Sequence, residues 1–181
     1  MKITATKISG LYIADTTAFV DERGSFARNF CARDLAPALQ GQTIAQINQS
    51  ITAKVGAVRG LHFQRAPHAE IKMVRCLRGC IWDVAVDLRQ ESPTFLQWHA
   101  EELTPANMKM MIVPERCAHG FQVLEPDSEV LYLHTDFYEP AAEGGINYAD
   151  PRINITWPLA VTDLSPRDAS HTFLDDTYTG I

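Results

Sequence analysis

Three side chains that can move protons lie at polar positions of otherwise apolar segments. His62 follows Arg59-Gly-Leu, Lys72 lies ten residues further on, and Tyr132 stands in a later segment. A histidine can take a proton near neutral pH, a lysine can stabilise the oxyanion that then develops, and a tyrosine can return a proton from another direction. These residue types indicate proton transfer beside a carbonyl, which is the chemistry of an epimerase.

Each of these side chains also has an ordinary structural explanation. A lone strand histidine is more often structural than a base, a lysine in an apolar strand usually points to solvent, and a tyrosine often only fills the core. Asp168, the fourth residue of Ser165-Pro-Arg-Asp, can orient His62 as the third group of a catalytic triad does. It also matches the start signature of a helix. Both roles for Asp168 stay open.

Length and composition indicate one globular domain over residues 1–181, because 46% of the residues are hydrophobic. The formal net charge of -6 argues against nucleic acid or an anionic membrane as partner, since both need a basic surface. No signal peptide or bilayer-spanning apolar run is evident, so we expect a cytoplasmic protein. The cysteines are expected to be small buried hydrophobic residues, and they are Cys31, Cys76, Cys80 and Cys117.

Short periodic runs separated by single prolines and glycines predict an all-β sandwich or barrel. The predicted strands are Lys2–Ile8, Ser25–Phe30, Ile44–Ile51, Ala57–Phe63, Ile71–Leu77, Ile81–Leu88, Gln97–Leu103, Lys109–Val113, Gly120–Leu124 and Val130–Phe137. Helices are few and short. One is predicted over Ala32–Leu39 and another from Ser165, with Pro166 in its first turn. The segment 159–181 is therefore expected to be a C-terminal helical tail.

Alternation within these strands puts polar side chains on common faces. One face carries Gln46, Asn48 and Ser50. A later face carries Tyr132, His134, Asp136 and Tyr138. A barrel whose interior is partly polar holds a ligand, although the same pattern also fits faces that only meet water.

Two strand patterns carry more specific expectations. Asp83 and Asp87 alternate with apolar residues, which puts acids on one face of that strand and allows a barrel with one solvated face. Arg59 and His62 fall on opposite faces of an ideal strand. We expect Gly60 to bring them together, because a glycine permits a bulge or a close backbone approach.

A metal site has weak support in the sequence. Pro114-x-x-x-x-His119-Gly resembles the second metal motif of the cupin superfamily, and His62 could supply another imidazole. The first metal motif has two histidines one residue apart and a following glutamate, whereas Gln64 follows Phe63 here. With at most two well-placed imidazoles and no evident carboxylate, we expect neither a catalytic metal nor a cofactor.

Beyond single residues, the order of the motifs resembles the dTDP-4-dehydrorhamnose 3,5-epimerase family, a metal-free cupin branch, from about Lys7 to Asp168. The matching motifs include Asp21-Glu-Arg-Gly-Ser-Phe26, Gln46-Ile-Asn48, Val58-Arg-Gly-Leu-His62-Phe-Gln64, Lys72-Met-Val-Arg75, Pro114-x-x-x-x-His119-Gly-Phe121, Thr135-Asp-Phe-Tyr138 and Leu164-Ser-x-x-Asp168. The resemblance implies a cupin-type jelly-roll barrel with a few short helices. It also implies a homodimer in which the N-terminal strands cross to the partner, and a dTDP-linked 4-keto-6-deoxy sugar bound in the barrel mouth.

The resemblance further implies roles for the residues at matching motif positions. His62 would be the base, oriented by Asp168. Lys72 would stabilise the enolate at C4, and Tyr132 would be the acid on the opposite face of the sugar.

Substrate-binding roles follow from the same resemblance. Arg59 and His119 would line the sugar and phosphate site. Arg23 and Phe26 would reach the nucleotide, partly from the neighbouring subunit. The remaining positions would give hydrogen bonds and a stacking surface for the base, and they are Gln46, Asn48 and Tyr138.

Two departures from the family pattern bear on specificity. Many members carry a glutamate where this chain has Arg28, and a Gln-Gly pair where it has Glu70-Ile71. Arg28 is nevertheless expected on the substrate side. Exchanging an acid for a guanidinium reverses charge and donor pattern, so the preferred base or sugar could differ.

Three alternative functions remain open. An epimerase that acts at C3 or C5 alone would carry the same His62, Lys72 and Tyr132. A non-catalytic cupin that binds sugar nucleotides would keep the pocket without needing a base, its orienting group and an acid together. A metal-dependent cupin oxygenase would need the metal ligands that the motif lacks.

Overall fold

A computed structural model describes all 181 residues. The strands are β1 (Lys2–Ala5), β2 (Tyr12–Asp15), β3 (Phe19–Asp21), β4 (Gly24–Phe26), β5 (Gln46–Thr52), β6 (Val58–Gln64), β7 (Lys72–Arg78), β8 (Ile81–Asp87), β9 (Trp98–Leu103), β10 (Lys109–Val113), β11 (Cys117–Val123), β12 (Ser128–His134) and β13 (Glu143–Gly145). The helices are α1 (Ala36–Leu39) and α2 (Pro166–Ala169). The predicted all-β class with few short helices is confirmed.

The strands form two antiparallel sheets that face each other as a jelly-roll barrel. One sheet has the order β1-β2-β10-β7-β12-β5, and the other has the order β13-β6-β11-β8-β9. The strands β3 and β4 form a separate hairpin. Strands that are neighbours in a sheet are mostly distant in sequence, which brings β6, β7 and β12 to one end of the barrel.

The space between the sheets is filled by apolar side chains from both of them. Val74 and Cys76 point inward from β7, while Ala85 and Phe121 point inward from β8 and β11. Complete burial of a side chain such as Phe121, which is 1% exposed, stabilises the fold by about 2 kcal/mol. This core holds the two sheets together on either side of the barrel interior.

Strand β8 is buried on both faces, so its acidic face is not a solvated face of the barrel. Asp83 and Asp87 point into the barrel and have no exposed surface. On the opposite face, Trp82 packs in a cluster with Trp157 and with Tyr178 of the C-terminal segment. That segment covers the outside of the five-stranded sheet. The inner face of β8 therefore carries Asp83 and Asp87, and its outer face carries apolar side chains.

The six-stranded sheet is covered on part of its outer face. Ala38 and Leu39 of α1 pack there with Met73 and Met110. Farther along the same face, apolar side chains of β5 remain exposed, and they are Ile47 and Ile51. The cover over this sheet is therefore incomplete within one chain.

All ten predicted strands have a counterpart, with ends shifted by a few residues. The predicted helix over residues 32–39 is confined to α1, and the tail from residue 159 holds only the single turn of α2. Strands β2, β3 and β13 were not predicted. In particular, β13 reads Glu-Gly-Gly and pairs at the sheet edge through its backbone, so it has no apolar alternation to detect. Neither helix has the length and apolarity that crossing a membrane requires.

Gly60 lies where β6 and β11 approach most closely. Its φ is +127°, and a Cβ atom there would meet the Cα atom of Gly120 at 2.5 Å and the carbonyl oxygen of His119 at 2.8 Å. The register of the two strands shifts between His119 and Phe121, opposite this glycine. The predicted irregularity at Gly60 is confirmed.

We expect Gly60→Ala to lower the free energy of unfolding by about 3 kcal/mol, because it adds a backbone clash to an unfavourable φ. Gly24→Ala is the matched control, since Gly24 has a φ of +130° with no heavy atom within 4 Å of the added Cβ. It should cost only about 1 kcal/mol. Urea denaturation measures both. Equal losses would show that the close approach to β11 contributes nothing.

Candidate active site

The open end of the barrel contains a cavity of about 630 Å³ between the two sheets and the C-terminal segment. All four side chains predicted to be catalytic line it, and they are His62, Lys72, Tyr132 and Asp168. Of the predicted binding residues, Asn48, Arg59 and His119 line it as well. Most of the lining is polar, which is the character of a site that orients a hydrophilic ligand.

His62 and Asp168 form a carboxylate–imidazole pair at the wall of this cavity. The Nε2 atom of His62 lies 2.8 Å from Oδ1 of Asp168, and the backbone N–H of Gly60 donates to Oδ2 at 3.2 Å. Since an ionised carboxylate can only accept, Nε2 carries the hydrogen and Nδ1 keeps the lone pair. The pair therefore presents Nδ1 of His62 as the basic atom.

The carboxylate of Asp168 is strongly acidic in the folded protein. Burial alone would raise the pKa of Asp168, but the hydrogen bond and charge of His62 and the N–H of Gly60 lower it to about 2. Asp168 stays ionised at neutral pH and stabilises a protonated His62.

Asp168 lies in the first turn of a capped helix and also contacts His62, so the two interpretations of this residue are compatible. Its backbone N–H donates to Oγ of Ser165, which caps α2, at 3.0 Å. Its carboxylate does not return to the cap, as it would in a full capping box, but reaches His62 and Gly60 instead. The helix start thus fixes the position from which the carboxylate orients the imidazole.

Arg59 and His62 both line the cavity although an ideal strand would point them to opposite faces. The irregular pairing at Gly60 changes the alternation between them. Arg59 donates from Nε to Oγ1 of Thr52 at 2.7 Å. The expected role of Gly60 in bringing the two residues together agrees with this geometry.

Tyr132 reaches the cavity from the six-stranded sheet. Its hydroxyl lies 2.8 Å from Oγ of Ser50, on the polar face of β5. Burial raises the pKa of Tyr132 to about 12, against the smaller effect of the Ser50 hydrogen bond. Tyr132 is therefore a protonated phenol at neutral pH and can give a proton.

Lys72 is not a solvated outer-face lysine. Its side chain is 13% exposed, and Nζ lies 3.3 Å from Oε1 of Glu70. The other oxygen of Glu70 lies 2.7 Å from Nδ1 of His134. The ammonium thus enters the cavity as part of a group of three charged or ionisable side chains.

His119 is buried beside Asp83, an acidic residue of β8 that points into the barrel. Its Nε2 lies 2.7 Å from Oδ1 of Asp83, while Oδ2 of Asp83 has no hydrogen-bond partner. Burial raises the pKa of Asp83 above its ordinary value, although the charge of His119 acts the other way. His119 is therefore held by a carboxylate inside the barrel, with its edge at the cavity.

The mouth of the cavity continues into a second space of about 170 Å³ that shares His62, Lys72, Asn48 and His134. Gln46 and Tyr138 line this second space. Gln46 accepts the backbone N–H of Tyr138 at 2.5 Å, and the Tyr138 hydroxyl donates to Glu143 at 3.0 Å. These predicted binding residues are adjacent to the catalytic group.

Three predicted binding residues lie outside both spaces within this chain. Arg23 and Phe26 belong to the β3–β4 hairpin, where Arg23 pairs with Asp21 at 2.6 Å and Phe26 is 70% exposed. Arg28 follows that hairpin and is also exposed. One chain alone does not bring these residues to the cavity.

Several lining residues were not predicted as site residues. Those with side chains that can bear a charge or donate a hydrogen bond include Ser50, Glu70, His134, Glu143 and Arg167. Strand parity already placed Ser50 and His134 on the faces of Asn48 and Tyr132, so their position had a signal. Arg167 and Glu143 are 2.9 Å apart. Arg167 lies in the single turn of α2 and Glu143 lies in the edge strand β13, and strand alternation predicts neither position.

One group of side chains could offer ligands to a metal ion. His62, Asp168 and His171 each have a ligand atom within 4.8 Å of the others. However, the guanidinium of Arg167 lies 3.2 Å from Nε2 of His62, and its positive charge opposes a cation at this point. The geometry therefore favours an orienting carboxylate over a metal centre.

Comparison with known proteins agrees with this geometry. A sequence profile described as dTDP-4-dehydrorhamnose 3,5-epimerase matches residues 5–176. The enzyme of that name from Salmonella typhimurium is 40% identical over 177 residues, covering 97% of this chain and 96% of its own length.

Solved structures show the same similarity. A dTDP-4-dehydrorhamnose 3,5-epimerase from Elizabethkingia anophelis superimposes with a TM-score of 0.91 at 35% identity, covering 98% of both chains. A dTDP-6-deoxy-D-glucose-3,5-epimerase from Legionella pneumophila, solved with dTDP-4-keto-L-rhamnose, has a TM-score of 0.89 at 38% identity and covers 95% of this chain and 92% of its own.

The lowered pKa of Asp168 predicts how stability depends on pH. Because the folded pKa, about 2, lies below the ordinary 3.8, the carboxylate stabilises the folded state above about pH 4 and loses that effect as the pH falls towards about 2. Asp168→Asn should lower the free energy of unfolding by about 2 kcal/mol near neutral pH, and the gap should close in acid. Denaturation curves at several pH values measure this. Asp176→Asn, at an exposed tail position, is the control, and a gap that did not vary with pH would contradict the prediction.

Proposed function

Because the chain belongs to the dTDP-4-dehydrorhamnose 3,5-epimerase family, we propose that its cavity binds a dTDP-linked 4-keto-6-deoxyhexose and that His62, Lys72, Tyr132 and Asp168 carry out the reaction. The chain is an epimerase of deoxysugar biosynthesis, as the sequence analysis predicted. The single observation that supports the residue roles is that a base with its orienting carboxylate, an ammonium and a phenol line one cavity.

The first step is removal of the proton at C5, next to the C4 ketone. Nδ1 of His62 takes this proton, and the electrons of the C–H bond move into the carbonyl group to form an enolate. The ionised Asp168 stabilises the imidazolium that results. A base placed in this way contributes about a hundredfold to ten-thousandfold in rate.

Lys72 acts on the oxygen that becomes negative. Its ammonium donates a hydrogen bond to the C4 oxygen as the enolate forms, and its charge favours the enolate over the ketone. One such donor is worth about a hundredfold to a thousandfold in rate.

Tyr132 returns a proton to the carbon from the face opposite His62. Its raised pKa keeps the phenol protonated until the enolate needs the proton, and the phenolate then regains a proton from water. Two different groups on two faces give inversion, whereas a single base that returned its own proton would restore the starting configuration. The same cycle at C3 completes the double epimerisation.

Polar groups at the mouth of the cavity bind the nucleotide in this proposal. Arg59 has no carboxylate partner and suits a pyrophosphate, because its guanidinium can donate in pairs to phosphate oxygens. Asn48 and Gln46 supply hydrogen bonds, His119 supports the sugar side, and Tyr138 offers an aromatic face to thymine.

A homodimer completes this site in our proposal. The β3–β4 hairpin exposes Phe19, Val20 and Phe26 at 77%, 77% and 70%, which is unusual for a monomer. If this hairpin crosses to the partner, its apolar side chains are buried and Arg23 reaches the partner's nucleotide. Arg28, at the base of the hairpin, would then lie near the same ligand. We also propose a cytoplasmic location, since free cysteines, of which Cys31 is half-buried and the other three are buried, suit a reducing compartment.

Deuterium exchange separates the proposed base from the proposed acid. In D2O with dTDP-4-keto-6-deoxyglucose, His62→Ala should lower exchange at C3 and C5 by at least about a hundredfold. Tyr132→Phe should retain exchange while losing inversion, because the proton can still leave but is not replaced from the opposite face. NMR of the sugar measures both quantities.

His68→Asn is the control for this experiment. His68 also pairs with a carboxylate, that of Asp136 at 3.3 Å, but outside the cavity, so its loss should leave exchange unchanged. Exchange at the parent rate in His62→Ala would refute the base assignment. Equal loss of exchange and inversion in Tyr132→Phe would mean that Tyr132 only positions substrate. Inversion at a single centre in the parent enzyme would favour a single-centre epimerase.

Mixing two inactive variants tests the shared site. Arg23→Ala removes the proposed nucleotide contact, and His62→Ala removes the base. If each hairpin serves the partner's cavity, a mixed dimer contains one intact site, and an equal mixture after subunit exchange should recover about one quarter of the parent activity. Activity is measured at low substrate concentration, and ultracentrifugation reports the dimer. No recovery in a proven mixed dimer would place Arg23 in its own chain's site.

A further inference from the structure

The carboxylate of Glu70 lies between two side chains of the cavity. Its Oε1 atom is 3.3 Å from Nζ of Lys72, and its Oε2 atom is 2.7 Å from Nδ1 of His134. The three side chains are only 10–13% exposed. Glu70 therefore bridges the proposed oxyanion donor and a histidine that has no role in the mechanism above.

Strand pairing fixes this group in place. His134 and Lys72 are direct neighbours across the β12–β7 pair, and Glu70 precedes Lys72 by two residues. The ring of His134 also stacks on that of Tyr132, with centroids 6.1 Å apart and planes at 26°. His134 thus lies next to both the proposed acid, Tyr132, and the proposed oxyanion donor, Lys72.

Glu70 is ionised between its two partners. Burial alone would raise the pKa of Glu70, but the hydrogen bond from His134 and the charge of Lys72 hold it below its ordinary value. Glu70 is therefore a carboxylate, and His134 occupies one of its two oxygens. Only the other oxygen is left for Lys72, whose ammonium has three donors and so keeps two for substrate.

We propose that Glu70 and His134 are positioning residues that hold the ammonium of Lys72 at the C4 oxygen of the substrate. The lysine side chain has a flexible four-carbon stem, and a donor stabilises an oxyanion fully only if it is already in place. His134 keeps Glu70 in one orientation, and Glu70 keeps Lys72 in one orientation. This inference rests on the proposed function.

Steady-state kinetics of the variants Glu70→Ala, His134→Ala and the double variant test the pair. We expect Glu70→Ala to lower kcat about tenfold to thirtyfold with KM within about twofold, because the nucleotide contacts remain. His134→Ala should lower kcat about threefold to tenfold. The double variant should be no slower than Glu70→Ala alone, since His134 acts through Glu70.

A primary isotope effect supplies a readout that a purely structural role would not change. With Lys72 less well placed, removal of the C5 proton becomes more rate-limiting, so the effect of deuterium at C5 on kcat should increase in Glu70→Ala. Glu70→Ser carries the same comparison if the alanine variant does not fold, while Glu70→Gln tests whether the negative charge is needed for positioning. Glu101→Gln is the matched control, because Glu101 also lies between a lysine and a histidine, Lys109 and His99, but away from the cavity.

The outcomes separate this inference from the proposed function. Parent or higher kcat in Glu70→Ala, or in Glu70→Ser where the alanine variant does not fold, would overturn the positioning role, as would additive losses in the double variant. Lys72→Ala tests the underlying mechanism. If Lys72→Ala is inactive while the Glu70 and His134 variants are not impaired, only the pair is wrong. If Lys72→Ala keeps the parent kcat, the oxyanion role of Lys72 is wrong as well.

Discussion

The contact between Asp168 and His62 joins residues that are 106 positions apart, and the rest of the site depends on it. It forms only if the C-terminal segment docks on the edge of the barrel. That docking is made by backbone and side-chain hydrogen bonds: the N–H of Val58 donates to the carbonyl of Asp163, and Gln122 bonds the backbone of Leu159 in both directions. The segment 159–170, which holds α2, therefore positions the candidate site as much as the strands do.

The proposed acid and the proposed base lie on the two walls of one cavity, in different environments. The imidazole of His62 faces an ionised carboxylate that stabilises its protonated form. The phenol of Tyr132 is buried and meets only the neutral hydroxyl of Ser50. The proposed direction of proton transfer follows from this difference in partners, because a carboxylate can stabilise an imidazolium and a protonated phenol can donate. The barrel itself provides the asymmetry, because the two groups come from opposite sheets.

Much of the fold and site follows from local pattern, and the rest depends on contacts between distant segments. Alternation predicts β8 as a strand, but it cannot tell that the C-terminal segment buries the outer face and turns Asp83 towards the interior. The Ser165-Pro166 signal predicts the start of α2, yet only the folded chain shows that the carboxylate of Asp168 leaves the cap for His62. Glu143 lies in the edge strand β13, which reads Glu-Gly-Gly and has no alternation of apolar and polar residues.

The charges around the cavity indicate where the substrate's own charge must lie. Most cationic or potentially cationic side chains there already face a carboxylate: His62 has Asp168, Lys72 and His134 have Glu70, His119 has Asp83, and Arg167 has Glu143. Arg59 is the exception, because its only partner is the hydroxyl of Thr52. Arg59 is exposed, so its guanidinium needs no carboxylate partner in the free protein and can pair with an anionic group of a ligand. In the proposed complex, the sugar ring lies in the paired region and the pyrophosphate lies at Arg59, which would orient the keto-hexose towards Lys72 before any proton moves.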